Sequence, residues 1–332
     1  MAWKWTCGAA CLALAGMAQA AETKADPGLS RDILHVQVIL DHLGFSPGVL
    51  DGRAGKSLVS ALKGFQEARG LKITGEIDPA TLSALHQYRT WRPTVTLVLT
   101  ADDLAGPFTN PLPHDPQAQA KLPELGYKDP MEKLGERYHT KPSVIVELNS
   151  PTTKLAPGVK VVFPNSVPQS RDYDAKLPEK WRATLSGLNV DARQPEAAKV
   201  VVDKSDEVLR VLDKNGRLIA QFAATMGSSH DPLPLGTWKI YGADYNPVYR
   251  YNPKLFWDAK KGAKGAMLPP GPNGPVGVVW LDLSKEHYGI HGTPSPETIG
   301  RAESHGCVRL TNWDVARLAM MIKPGTPAVF QQ

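Results

Sequence analysis

Cysteine is scarce, with three in 332 residues, and two of these, Cys7 and Cys11, fall within the first twenty. Long apolar runs are scarcer still. No segment beyond the N-terminus approaches the roughly 20 apolar residues of a membrane-spanning helix. An excess of one charge is also missing: 38 Lys and Arg against 33 Asp and Glu leave a formal charge of +5. That is too weak and too dispersed for a nucleic-acid partner, though it suits contact with an anionic polymer. Proline and glycine, in contrast, are plentiful at 29 each, which predicts many turns, linkers and a β-rich part. The length predicts two or three domains.

The first twenty residues read as a signal peptide. Lys4 supplies a positive start, residues 9–16 an apolar run, and Ala18-Gln19-Ala20 a small-x-small cleavage site. Neither Cys7 nor Cys11 follows the Leu-x-Gly/Ala run of a lipoprotein. Removing this leader predicts an exported, periplasmic protein without a membrane span, in which Cys307 is the remaining thiol. A lone cysteine forms no intrachain disulfide. It is either a buried inert thiol or a reactive one.

The fold class predicted is multidomain α+β. Residues 31–88 carry helical periodicity: Val36, Ile39, Leu40 and Leu43, then Leu58, Ala61, Leu62 and Phe65. A turn-rich loop at 46–55 separates the two runs. Asp78-Pro79 starts a third short helix, with Asp78 as cap. Residues 89–123 hold one strand, around 94–99, and a Pro-rich stretch at 106–123 that reads as a linker. Residues 124–168 form a small α/β unit with two helices and a closing strand at 159–164. From about residue 198 to 331 the pattern turns to β, with strands near 199–203, 208–212, 218–222, 238–241 and 276–281. Asp213-Lys214-Asn215-Gly216 supplies a hairpin turn. One late helix follows, with Asn312 as its cap and an apolar stripe of Val315, Leu318, Ala319 and Ile322.

The chemistry concentrates in Ile290-His291-Gly292-Thr293 and Ser304-His305-Gly306-Cys307-Val308-Arg309-Leu310. Two histidines flank one cysteine. A free thiol is mostly protonated at neutral pH, and an imidazole that takes its proton makes it a usable nucleophile. No acidic residue adjoins either histidine, so a backbone carbonyl is the expected orienting partner for the base. Gly306 lets the backbone approach a substrate carbonyl, so that its N–H or that of Cys307 forms an oxyanion site. In an extended segment Arg309 shares a face with Cys307 and can hold a carboxylate. On residue types alone three readings stand: a catalytic thiol, a zinc site of His291, His305 and Cys307 with an open fourth position, and a buried cysteine beside structural histidines. Tyr245, Tyr249, Tyr251 and Trp257 lie in an insertion at 244–270, which either covers the site or packs on itself. His35, His42, His86, His230 and His287 read as ordinary packing or surface residues.

The motifs resemble known families. Asp51-Gly52 to Gly55, Ala61-Leu62-x-x-Phe65-Gln66, Gly70-Leu71 and Thr74-Gly75-x-Ile77-Asp78 are similar to the peptidoglycan-binding domain type 1, departing from it at Leu58, where Thr is usual. Leu134-Gly135-Glu136-Arg137-Tyr138, Glu147-Leu148-Asn149 and Leu155-Ala156-Pro157-Gly158 through Asn165 are similar to a LysM module, a binder of N-acetylglucosamine-containing glycans. His291-Gly292-Thr293 with Ser304-His305-Gly306-Cys307-x-Arg309 resembles the signature of the YkuD-type L,D-transpeptidase domain. Met226-Gly227, Pro234-Leu235-Gly236-Thr237-Trp238 and the Pro-Gly segment 269–277 extend that match. Leu233, Gly274 and Val276 depart from it, which bears on the substrate groove.

The resemblance implies a β-rich, sandwich-like catalytic domain without metal or cofactor, open to carbapenems. It implies that Cys307 attacks the diamino acid at the third position of a peptidoglycan stem peptide, with release of D-alanine from a thioester enzyme. His291 would be the base, oriented by the Gly292 carbonyl. His305 and Gly306 would shape the oxyanion site, and Ser304 and Arg309 would position substrate. Passing the acyl group to an amine gives a 3-3 crosslink or attaches a wall protein, while water gives carboxypeptidase activity. A non-catalytic wall-binding protein is the alternative of another class. The partners implied are peptidoglycan stem peptides and glycan strands.

Overall fold

The computed structural model describes residues 28–332. The expected signal peptide lies outside them. Among the described residues no helix is long and apolar enough to cross a membrane.

The N-terminal unit holds helix α1 (Arg31–His42), the two-residue strand β1 (Phe45–Ser46), α2 (Lys56–Ala68) and α3 (Pro79–Leu85). Ser30 caps α1, accepting from the Ile33 N–H. Asp78 caps α3, accepting from Thr81, with Pro79 following it. The two apolar stripes meet in one core of Val36, Ile39, Leu40, Leu58, Ala61, Leu62 and Phe65. Leu218, from the C-terminal unit, completes that core.

The middle unit holds three helices between two strands. It comprises β2 (Thr94–Val98), the short α4 (Pro116–Gln119), α5 (Pro130–Arg137), α6 (Pro142–Leu148) and β3 (Lys160–Pro164). β2 and β3 pair antiparallel, Thr94 opposite Pro164 and Val98 opposite Lys160. The expected division at residue 124 therefore cuts through one unit: Leu99, Leu134, Tyr138, Ile145, Val161 and Phe163 share a core. The expected linker is also built into the fold. The Gln117 amide donates to the Lys264 and Gly265 carbonyls. Leu125 is buried, its N–H donating to Pro270 O and its carbonyl accepting from Asn273 N–H.

Helix α7 (Glu179–Gly187) leads into the C-terminal unit. Its strands are β4 (Lys199–Asp203), β5 (Val208–Leu212), β6 (Leu218–Ala223), β7 (Thr225–Met226), β8 (Gly236–Tyr245), β9 (Tyr249–Tyr251), β10 (Ala266–Leu268), β11 (Val279–Leu283), β12 (Gly289–His291), β13 (Val308–Arg309) and β14 (Pro327–Gln331). Helix α8 (Asn312–Met321) precedes the last strand. Ten strands form one order, β1-β6-β5-β4-β14-β8-β11-β12-β13-β7. The sheet divides because β8 serves two partners. Its residues 236–239 pair with β14, and its residues from Ile240 onward with β11. Apolar residues of both halves, among them Val200, Leu209, Phe222, Leu281, Ile290 and Val308, close on α8 in a single core. The helix is capped by Thr311, whose hydroxyl accepts from Asp314 N–H; Asn312, the cap expected from sequence, is its first turn. That shift frees the Asn312 amide for other partners.

The three units meet on α8. The His139 ring places Nδ1 2.9 Å from Asp41 Oδ2 and Nε2 2.7 Å from Leu188 O. It also stacks on Trp313 with centroids 5.1 Å apart. Arg317 donates to Asp41 O at 2.9 Å, and Ser46 to Asp314 at 2.8 Å. All these side chains are buried. Burial alone would raise the Asp41 carboxyl, but the charges of His139 and Arg317 pull it well below the usual range.

Candidate active site

Two short strands bring the motif residues together. β12 and β13 run parallel, Ile290 beside Val308 and His291 beside Arg309. Cys307 immediately precedes β13, so the loop 304–307 delivers the thiol next to the strand that carries His291. Leu310 N–H ties the two segments by donating to His291 O at 2.9 Å. Ile290 and Val308 are fully buried beneath them.

His291 is 5 % exposed. Its Nδ1 lies 2.7 Å from Gly292 O. A carbonyl accepts only, so this contact places the proton on Nδ1 and leaves Nε2 as the basic nitrogen. Burial pushes the ring down to about 4, with the nearby Arg309 charge adding to the shift and the Gly292 contact opposing it. The ring is therefore neutral through the physiological range. Trp280 stacks beside it, centroids 5.5 Å apart.

The Cys307 thiol is half-buried and sits 3.8 Å from His287 O. Burial raises its pKa above 9.0, and the Gly289 backbone contact and the Arg309 charge offset only part of that. A thiol so placed ionises poorly alone and needs a base. Arg309, Tyr249 and Tyr288 surround it. Burial, and then the Cys307 charge, raise both tyrosines, Tyr249 to about 12. Burial lowers Arg309, whose charge is favoured in turn by Cys307 and Tyr249.

Gly306 has φ +93°, and a Cβ there would lie 2.6 Å from the Tyr288 ring. Both constraints require glycine. Ser304, expected to face substrate, is instead 3 % exposed. Its hydroxyl donates to Cys307 O at 2.6 Å and accepts from Gly227 N–H at 2.6 Å. It staples the cysteine loop to the segment after β7.

His305 points the other way, into the aromatic insertion. Its Nε2 is 3.0 Å from Asp258 Oδ1, and Phe256 meets it edge-on with centroids 5.1 Å apart. Trp257, 61 % exposed, stacks on His230. The insertion, carried on the antiparallel pair β9–β10, thus leans on the motif rather than packing on itself alone. His291, His305 and Cys307 do not form a shared ligand set: among the described residues no group of three or more His, Cys, Asp or Glu is placed to hold a metal ion. Tyr288, Asp258 and Trp280 were not singled out from sequence. Tyr288 and Trp280 flank the strand of the first histidine, which is the signal that points to them. Nothing in sequence pointed to Asp258.

Residues 197–330 match the family model described as the L,D-transpeptidase catalytic domain, and residues 30–85 a model described as a peptidoglycan binding domain. YqjB of Bacillus subtilis (strain 168), whose name carries the L,D-transpeptidase designation, is 30% identical over 132 residues, 38% of this chain and 67% of that protein. YkuD of Bacillus licheniformis, with the same designation, is 56% identical over 57 residues. That alignment takes in 17% of this chain and 34% of YkuD, so the chain spans about a third of that relative's length. An L,D-transpeptidase from Mycobacterium smegmatis overlays with a TM-score of 0.33 at 24% identity, covering 41% of this chain and 59% of that one.

Proposed function

The chain belongs to the YkuD-type L,D-transpeptidase family, and from that premise we propose that it is a peptidoglycan L,D-transpeptidase forming 3-3 crosslinks through a Cys307 thioester. The observation that carries this reading is the pairing of β12 with β13, with the neutral His291, oriented by Gly292 O, beside the strand that Cys307 precedes.

In this reading His291 Nε2 takes the thiol proton as sulfur attacks the carbonyl of the third stem residue. The C–N bond to terminal D-alanine then breaks, and the proton passes from His291 to the leaving amine. A thioester remains on Cys307. The side-chain amine of a second stem attacks it, gives a proton to His291, and releases the thiol. Backbone N–H groups around Gly306 and Cys307 receive the developing oxyanion. Arg309, beside Cys307, holds a carboxylate of the stem. His305 belongs to the same rim through Asp258 of the insertion.

The remaining assignments follow. Residues 1–20 act as a signal peptide for export to the periplasm. The unit at 31–88 binds peptidoglycan, and the segment 124–168, completed by β2, is a LysM-like glycan binder; the helix pair α5 and α6 ahead of β3 and the antiparallel β2–β3 pair support that assignment. Catalysis occupies 198–331.

Mature protein incubated with disaccharide-tetrapeptide releases D-alanine and yields crosslinked dimers by mass spectrometry. A wild type that yields neither, or a Cys307→Ala variant that retains full activity, defeats the proposal. Hydrolysed tripeptide without dimers reassigns the acceptor to water.

A further inference from the structure

Gly292 orients His291 through its carbonyl, so whatever fixes Gly292 fixes the proposed base. Asn312 is pressed against it. A Cβ added to Gly292 would lie 2.2 Å from Asn312 Oδ1, and one added to Gly277 2.0 Å from the same atom. Asn312 Oδ1 also accepts from Val278 N–H at 3.2 Å. The amide is a wedge between the turn before β11 and the residue after β12.

The other end of this amide is held from outside the C-terminal unit. Asn312 Nδ2 donates to Pro272 O at 3.1 Å and to the two carboxyl oxygens of Glu136 at 2.9 and 3.1 Å. Glu136 lies in α5 of the middle unit and is 5 % exposed. Tyr127 donates to it at 3.2 Å. Pro272 O accepts only and Val278 N–H donates only, so they fix the sense of the amide: the NH2 end faces Glu136, whose carboxyl is raised by burial to about 8, and the oxygen faces Val278 and the two glycines. Burying a carboxyl at this junction is costly, and an apolar side chain would fill the space without turning the amide.

We infer that Glu136 is a positioning residue for the acyl transfer: a side chain of the middle unit that, through Asn312, fixes Gly292 and hence the ring of His291. The inference rests on His291 being the base of Cys307. It makes the docked middle unit part of the machinery that readies the site, beyond any role in holding the wall.

The test uses the whole mature chain and the rate of Cys307 acylation by a carbapenem, followed by mass. Glu136→Leu keeps roughly the side-chain volume but removes the acceptor of Asn312 Nδ2 and of the Tyr127 hydroxyl, so some stability is lost with it. It lowers the acylation rate constant at saturation roughly tenfold or more with the half-saturating concentration little changed. Glu136→Gln, which keeps an acceptor oxygen, restores most of the rate. Glu136→Leu acylating at the wild-type rate overturns the inference, as does an equal loss in both variants that tracks their melting temperatures.

A second readout needs no variant. The His291 Nδ1–H resonance of the wild type shifts as Glu136 ionises near pH 8, with Tyr127, Glu132, Glu297 and Asn312 as the groups facing that carboxyl. A resonance unmoved through that range also overturns the inference. Failure of the wild type to be acylated at all would instead strike the proposed function.

Discussion

Cys307 and His291 are displaced in opposite senses by the same cause. Burial raises the thiol and lowers the imidazole, so both reactants start neutral and the proton moves only as sulfur attacks. The pH profile follows. His291 gains a proton near pH 4 rather than near 6.5, and the carbapenem acylation rate therefore holds down to about pH 5 and falls below it. An acid limb centred near 6.5 would contradict this. The sign for stability is fixed too: the unfolded ring binds a proton below 6.5 and the folded ring only near 4, so the stability contributed above 6.5 is lost as pH falls through that window. Ser304 makes a separate prediction. Replacing it with alanine strips partners from Gly227 N–H and Cys307 O, costing about 2 kcal/mol and slowing acylation. A melting temperature equal to wild type would contradict it. Sequence reading placed Ser304 on the substrate side because its motif position was visible and its rotamer was not.

At the scale of elements, β12 is gripped from one side. A Cβ on Gly289 would sit 2.4 Å from the Trp280 ring, and the same indole stacks on His291. Gly289→Ala must push Trp280 or β12 aside. It costs about 1–3 kcal/mol and displaces the His291 ring, so denaturant unfolding and carbapenem acylation both register it; a variant with wild-type values in both would refute the coupling. Elements built from contiguous residues were legible in sequence: the stripes of α1 and α2, the Asp78 cap, the strands around 199–222 and the His-Gly-Cys loop. What depends on distant partners was not. β2 was split from β3 because 61 residues separate Val98 from Lys160, its partner, with a Pro-rich stretch between. Asn312 was read as a cap, since its amide meets Glu136, 176 positions away in the chain, only once the fold has formed.

The whole molecule is joined where Asp41, His139 and Arg317 meet on α8. One residue from each unit contributes to that buried cluster. Removing the His139 ring strips Asp41 Oδ2 and Leu188 O of a partner and leaves Arg317 facing the Asp41 carboxyl, so His139→Ala destabilises by about 3–5 kcal/mol and uncouples the units. Calorimetry then shows separate transitions where the wild type shows one; a single unshifted transition in the variant would refute the coupling. Stability also erodes in acid: the depressed Asp41 carboxyl contributes stability that is present above its ordinary 3.8 and is lost as pH falls through its lower folded value. At the far end of the sheet, β1 pairs parallel with β6, Phe45 beside Gln221 and Ser46 beside Phe222. Two residues of the N-terminal unit thereby occupy what would otherwise be an open row of peptide groups. A fragment cut to residues 197–330 leaves that row bare, and bare strand edges recruit one another. The N-terminal unit thus doubles as a cover for a strand edge, and whatever strips it away exposes that edge to copies of its own kind.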